Sequence, residues 1–447
     1  MSGGRQLCLG GLLGALAQVT GACAYPLPPP SSPPVAASRW SERVDWQRAG
    51  DEAVRLLSGY LRVDTFNPPG NETRGARFLG AVLQREGIPH EVVEFAPGRG
   101  SLIARLRGSG EERPLCLLSH IDVATADPAA WPRGRGPLSG AIDEQGMIWG
   151  RGALDMKGMG VLELMTLVLL KRLRVPLRRD VILLAVADEE VGNQGMKYVV
   201  DRHWGRIDCS HVINEGGLGL RGALFEGQTV FAISVAEKGV LWLRMTVRGA
   251  GGHGSTPRWD HTPVRLLEAL RRIQTRAPRP TLHPSLLELF ARVGAHRGGL
   301  SGFVLRRPAL VRALVVERLM RKPGTRAALV DTVNITGIDT GGKEPNVVST
   351  RAHAILDCRL LPGTTPARVV AELQRLTGFD PHISFEQIHH APAAESPRDD
   401  PLFDALVRNA VAGRTDAAAG PVLSIGFTDS IFARLEGARA YGLIPFE

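Results

Sequence analysis

Two hydrophobic rhythms alternate along the first half of this chain. Pro114–Ser119 and Val181–Ala187 are nearly unbroken aliphatic runs. Runs of that length without polar alternation predict strands buried on both faces, as in the middle of a parallel sheet. Asp51–Leu61 and Ala76–Glu86 space their apolar residues at helical intervals, and Met159–Leu173 is apolar nearly all round, which predicts a buried helix. A short strand begins at His211–Ile213. Helices alternating with aliphatic strands predict an α/β domain. In such sheets the functional groups collect at the carboxyl ends of the strands.

The pattern changes near Ile233. Gly239–Arg248 predicts a strand that runs through the Gly-rich turn Gly249–Gly254 into a helix, Pro263–Gln274. Strands around Ala328–Ile338 and Ala352–Leu360, a helix over Pro366–Leu376 and a strand over His382–Gln387 follow. This β-α-β-β-α-β order is that of a ferredoxin-like domain. A stretch, Ala277–Ala327, is inserted after its first helix. The last segment supplies a helix (Leu402–Ala412) and a strand (Val422–Ile425) that return to the first domain. The expected division is 42–232 and 390–447 for the first domain, with 233–389 inserted between them.

The amino terminus reads differently. Arg5 precedes the apolar run Leu7–Ala22, and Ala22-Cys23-Ala24 fits a small-x-small cleavage site, so residues 1–24 are expected to be a signal peptide. Thr20-Gly21-Ala22-Cys23 also loosely resembles a lipoprotein box with Cys23 as the lipidated residue, although the usual leading Leu is absent. Residues 25–41 form a Pro-rich tether. The expected location is therefore secreted or periplasmic. At 447 residues with a net charge of +9, the chain has room for two domains and suits anionic surfaces or substrates. It carries no zinc finger or RNA-recognition signature, and nucleic acid is not an expected partner. Of five cysteines, Cys116, Cys209 and Cys358 lie in or beside predicted strands and form no CxxC pair, so buried free thiols are expected.

The chemistry sits where the apolar runs stop. Leu115–Asp122 ends in His120 and Asp122; Val181–Glu190 ends in Glu189 and Glu190; His211–Gly217 contains Glu215; and Gly150–Gly158 places Asp155 at the head of a helix. Each cluster alone has an ordinary structural reading as a capped helix or a solvated turn. Together, in order, they supply what a hydrolytic two-metal site needs: an imidazole, several carboxylates, and a base for a trapped water. Asp122, two residues beyond His120, is placed to hydrogen-bond the other ring nitrogen. Glu189 and Glu190 are adjacent, so one can bind metal while the other takes a proton.

These motifs resemble the dizinc aminoacylase/carboxypeptidase metallopeptidases, most of all carboxypeptidase S and the secreted N-fatty-acyl-amino-acid hydrolases. The anchors are Ser119–Val123, Gly150–Gly158, Asp188–Gly192, Asn214–Gly217, Gly252–Pro257, Asn346–Val348, Asp357–Gly363 and Gly426–Ser430. The resemblance implies a zinc-peptidase-like α/β catalytic domain with an inserted ferredoxin-like domain serving as lid and dimerisation element. It implies two zinc ions, with His120 and Glu215 on the first, Glu190 on the second, and Asp155 bridging. Glu189 would be the general base, Asp122 would orient His120, and His253 would stabilise the oxyanion, often from a dimer partner. Arg359 and Asn346 would hold the substrate's carboxylate. Cobalt and manganese suit similar ligands.

One departure stands out. The family's last metal ligand is a His in an H-x-x-x-E context beyond the segment matched by Thr428–Pro445; the sequence stops at Glu447, and His389 and His390 lie too early. Either the sequence is clipped at its carboxyl end, the preferred reading because every other motif is present, or the protein is a mononuclear or impaired relative. The expected function is zinc-dependent cleavage of amide bonds next to a free carboxylate, in a dipeptide, a peptide carboxyl terminus or an N-acyl amino acid. The alternative is a catalytically impaired binding protein on the same fold. Val304–Lys322 mixes aliphatics with Arg and Lys at helical spacing and predicts a packed lid helix, or else an apolar surface for long acyl chains or a membrane surface.

Overall fold

The computed structural model describes residues 23–27, 40–342 and 344–446, so most of the expected targeting segment and tether lies outside the described residues. The chain divides into two units. The larger comprises Pro28–Val235, Ser396–Ala419 and Thr428–Glu447; the smaller comprises Met1–Leu27, Ala236–Glu395 and Gly420–Phe427.

The larger unit opens with helices α1 (Trp46–Leu61) and α2 (Glu72–Arg85), then strands β1 (His90–Ala96), β2 (Arg99–Leu106) and β3 (Glu112–His120). Helix α3 (Lys157–Arg172), β4 (Arg179–Val186), α4 (Gln194–Ile207), β5 (His211–Asn214) and β6 (Thr229–Glu237) follow. In the smaller unit come β7 (Gly239–Arg248), α5 (Thr262–Gln274), α6 (Pro284–Arg297), β8 (Thr332–Asp339), β9 (Arg351–Leu360), α7 (Pro366–Leu376) and β10 (Ile383–Ala391). The chain then returns through α8 (Pro401–Ala410), α9 (Ser430–Leu435) and β11 (Arg439–Gly442).

The main sheet runs β6-β11-β5-β3-β4-β2-β1. Its centre is parallel, β11 to β5 to β3 to β4, with antiparallel strands outside. The unbroken aliphatic runs of β3 and β4 are explained by burial on both faces. Leu117, Leu183 and Ala185 pack with α1, α2 and α3, while Cys116, Leu118, Ile182, Leu184 and Val186 pack with α4 and α9 on the other side. This mixed α/β architecture agrees with the expected fold class.

The smaller unit contains a four-stranded antiparallel sheet in the order β8-β9-β7-β10. Alternate residues of β7 (Leu241, Leu243, Met245, Val247) and β9 (Ala354, Leu356, Cys358) meet Leu266, Leu270 and Leu373 of α5 and α7.

Two expectations are corrected here. Cys116 and Cys209 are not free thiols but form a disulfide across 93 residues, with Cα atoms 5.9 Å apart; Cys358 is free and buried. The parallel pairing of β3 with β5 brings the two together, which spacing alone does not reveal. Nor is Val304–Lys322 one helix. A break at Arg306 and Arg307 separates Gly299–Leu305 from a second helical run over 308–320, in which Val311–Val315 is wound as a π-helix. Pro308 lacks the amide that a continuous helix would need there.

Candidate metal centre

The site grows from strand ends of the larger unit. His120 is the last residue of β3 and is 2% exposed. Glu189 and Glu190 follow β4, Glu215 follows β5, and Asp155 precedes α3 by two residues. The turn after β4 is tightly built. Asp188 adopts φ +68°, and a Cβ at Gly195 would collide with the carbonyl of Ala187, so only glycine lets α4 begin there.

These side chains converge. One ligand atom each from His120, Asp155 and Glu190 lie within 4.8 Å of one another, and so do those of His120, Glu189 and Glu215. His120 Nε2 lies 3.1 Å from Asp155 Oδ1 and 3.9 Å from Glu215 Oε1. The expected ligands therefore meet around one imidazole that belongs to both clusters.

Asp122 departs in detail from expectation. His120 Nδ1 lies 2.9 Å from the backbone carbonyl of Asp122, whereas the carboxylate is 3.6 Å away. That carboxylate instead accepts from the amides of Glu189 and Glu190, both at 3.1 Å, and from Asn67 Nδ2 at 2.8 Å. Asp122 thus fixes the two glutamates as well as the ring.

Behind it runs a network that the sequence reading missed. Asn67 Nδ2 also donates to Asp188 Oδ1 at 2.9 Å. Arg99 donates to both oxygens of Glu72, at 2.7 and 2.8 Å, and to Asp188 at 2.6 Å. Asp429, 2% exposed, accepts from Asn193 Nδ2 at 3.1 Å. Lys157, fully buried, donates to the carbonyls of Tyr60 and Val63 and pins the start of α3 beside Asp155. Asp188 and Asp429 lie inside recognised motifs; for Asn67, Glu72 and Arg99 nothing in the local sequence marks the role.

The electrostatics follow from crowding acids around one base. Burial pushes the Glu189 carboxyl well above the usual carboxylate range; Asp429, Glu215 and Asp122 add to the shift, and His120 opposes it. Burial also raises Glu190, and it raises Asp429 to about 8. Burial opposes protonation of His120, but the neighbouring carboxylates of Asp122 and Asp155 outweigh it and the ring stays well above its ordinary value. The hydrogen bond from His120 lowers Asp155. A cluster that must take up protons to relieve its own negative charge is chemically suited to divalent cations, and its donor set of one nitrogen and several carboxylate oxygens fits them.

The remaining predicted residues belong to the smaller unit. His253 Nε2 lies 3.2 Å from Asn346 Nδ2, and His253 Nδ1 lies 2.7 Å from Ser255 Oγ. Arg359 makes a two-pronged contact with Asp357, at 2.8 and 3.1 Å.

A mixed α/β sheet with an imidazole and clustered carboxylates at its strand ends defines a metallopeptidase-type hydrolase. Its sequence places it further: the chain belongs to peptidase family M20/M25/M40, whose profile matches residues 116–445. It is 30% identical to the N-fatty-acyl-amino acid synthase/hydrolase PM20D1 of Bos taurus, across 81% of this chain and 74% of that protein. It is 26% identical to a probable carboxypeptidase S-like 2 of Dictyostelium discoideum, across 74% of this chain but only 64% of that longer protein. The fold resembles that of an M20 family metallo-carboxypeptidase from Sulfolobus solfataricus, with a TM-score of 0.63, 19% identity, and coverage of 88% and 91% of the two chains.

Proposed function

We propose that this protein is a secreted zinc-dependent hydrolase that cleaves amide bonds next to a free carboxylate, in dipeptides, peptide carboxyl termini or N-acyl amino acids. The observation that carries this reading is the convergence of Asp155, Glu189, Glu190 and Glu215 on His120. His120, Asp155, Glu190 and Glu215 would hold the metal. When bound, the metal supplies a Lewis acid that polarises the scissile carbonyl and acidifies water.

The chain's own groups do the rest. Glu189 takes a proton from the attacking water at its carboxylate and returns it to the leaving nitrogen. Burial raises its proton affinity above that of an ordinary carboxylate, which helps it hold the proton between the two transfers. Asp122 holds the two glutamates by their backbone amides. Arg359 and Asn346 bind the substrate carboxylate, and His253 donates to the oxyanion. We read the smaller unit as a ferredoxin-like lid, with His253 contributed across a homodimer. The disulfide supports secretion, since such bonds persist in oxidising compartments.

The test is metal content per chain, measured together with hydrolysis of a panel of dipeptides and acyl amino acids. Zinc with turnover of the panel supports the proposal. Metal without turnover, or neither metal nor turnover, overturns the hydrolase reading and favours the binding-protein alternative.

A further inference from the structure

The helical insertion between α6 and β8 carries a concentrated positive charge. Between Arg297 and Arg326 the sequence holds eight Lys or Arg residues and a single acid, Glu317, so this stretch accounts for most of the chain's excess of +9. Arg306, Arg312, Arg318 and Lys322 are exposed. Large apolar side chains are exposed among them: Leu300 at 80% and Leu314 at 64%. Cations interleaved with protruding leucines are a poor surface for water alone. They match an interface that offers negative headgroups above hydrocarbon.

A second observation points the same way. The segment 23–27 is seated on this surface. Tyr25 N donates to the carbonyl of Arg306 at 2.6 Å, and Tyr25 Oη donates to the carbonyl of Pro284 at 3.4 Å. Cys23 is exposed there. The residues that directly follow the apolar run Leu7–Ala22 are therefore held against the basic stretch. Among the described residues no helix is long and apolar enough to cross a membrane.

We propose that the insertion between α6 and β8 is a membrane-surface site that binds anionic phospholipid headgroups, with Leu300 and Leu314 entering the headgroup layer. Membrane attachment by a single weak signal is reversible, and a basic patch is the kind of second signal that makes it stable. Each cation near an anionic leaflet is worth roughly a fivefold gain in partitioning, and the gain fades with salt.

The test is co-sedimentation of the full chain with vesicles of phosphatidylcholine, alone or with about a third phosphatidylglycerol. Binding should be at least about tenfold stronger on the anionic vesicles and should collapse toward the neutral-vesicle level in high salt. The combined variant Arg306→Gln, Arg312→Gln, Arg318→Gln, Lys322→Gln should lose that difference while keeping its melting temperature. Leu300→Ser with Leu314→Ser, which leaves the charge unchanged, should weaken vesicle binding but leave heparin binding intact. Equal binding to both vesicle types overturns the proposal. So does a leucine variant that binds anionic vesicles as well as the parent, which would mark a general polyanion surface.

Discussion

Removing Arg99 tests whether the network behind the candidate site acts as one unit. Its guanidinium joins Glu72, whose side chain is 0% exposed, to Asp188, at 8%. Arg99→Ala leaves two buried carboxylates without their cation, and breaking a buried pair in this way costs about 3–5 kcal/mol. Asp188 holds the left-handed turn before Glu189 and shares Asn67 with Asp122, so the damage should reach the metal ligands. Loss of such supporting contacts lowers metal affinity by roughly 10–100-fold. Scanning calorimetry should show the larger unit melting roughly 10 °C lower. The pH dependence fixes the cause. Burial already raises Glu72 above its ordinary value despite Arg99, and the variant raises it further. An acid with a raised folded-state pKa gives stability that is full below its unfolded pKa and is lost as pH rises. The deficit should therefore be largest near pH 8 and shrink toward pH 5, and adding Glu72→Gln should recover part of it. A variant that melts with the parent at pH 8, with metal affinity unchanged, would refute the argument.

Three other outcomes are expected. Glu189→Ala should reduce turnover by at least about 10²-fold while metal content stays near that of the parent; loss of metal would make Glu189 a ligand, as its place beside Glu215 allows. Arg359→Ala should raise KM for carboxylate substrates with a smaller effect on amide-capped ones, and an unchanged KM would leave Arg359 simply paired with Asp357. Chelated protein should lose stability as pH rises from 5 toward 8. His120, Glu189, Glu190 and Asp429 all hold protons more tightly when folded, so that stability is lost as they deprotonate. Metal-loaded protein should not show this slope, and calorimetry of both forms across that range decides it.

What the sequence made legible follows from how far each signal reaches. β3, β4, β7 and α7 carry their own periodicity and appear close to where it predicts. β1 (HEVVEFA) and β2 (RGSLIARL) went unread because charges and glycine break up their apolar residues. α4 went unread because QGMKYVVDRHWGRI lacks a capping signal and starts after a left-handed Asn193. In the site, His120, Glu189, Glu190 and Glu215 are marked by the abrupt end of apolar runs, and Asp155 by its place at the head of a buried helix. Their supports are not, because Asn67 meets Asp188 across 121 residues and Arg99 meets Glu72 from an unread strand. The disulfide escaped for the same reason: pairing of β3 with β5 is a property of the sheet, not of either segment.

The position of β11 has a further consequence. It lies between β6 and β5, yet it is made of residues 439–442, and most of the smaller unit separates it from β6 in the chain. On the ribosome, β5 and β6 emerge roughly 200 residues ahead of the strand that joins them, a delay of about 20 s at ordinary synthesis rates. During that time one edge of β5 has open backbone groups and an apolar face, the kind of edge that recruits the wrong neighbour. The smaller unit, whose segments all precede residue 428, can finish folding in the interval. The larger one is therefore the part of the nascent chain that must be shielded until β11 has emerged.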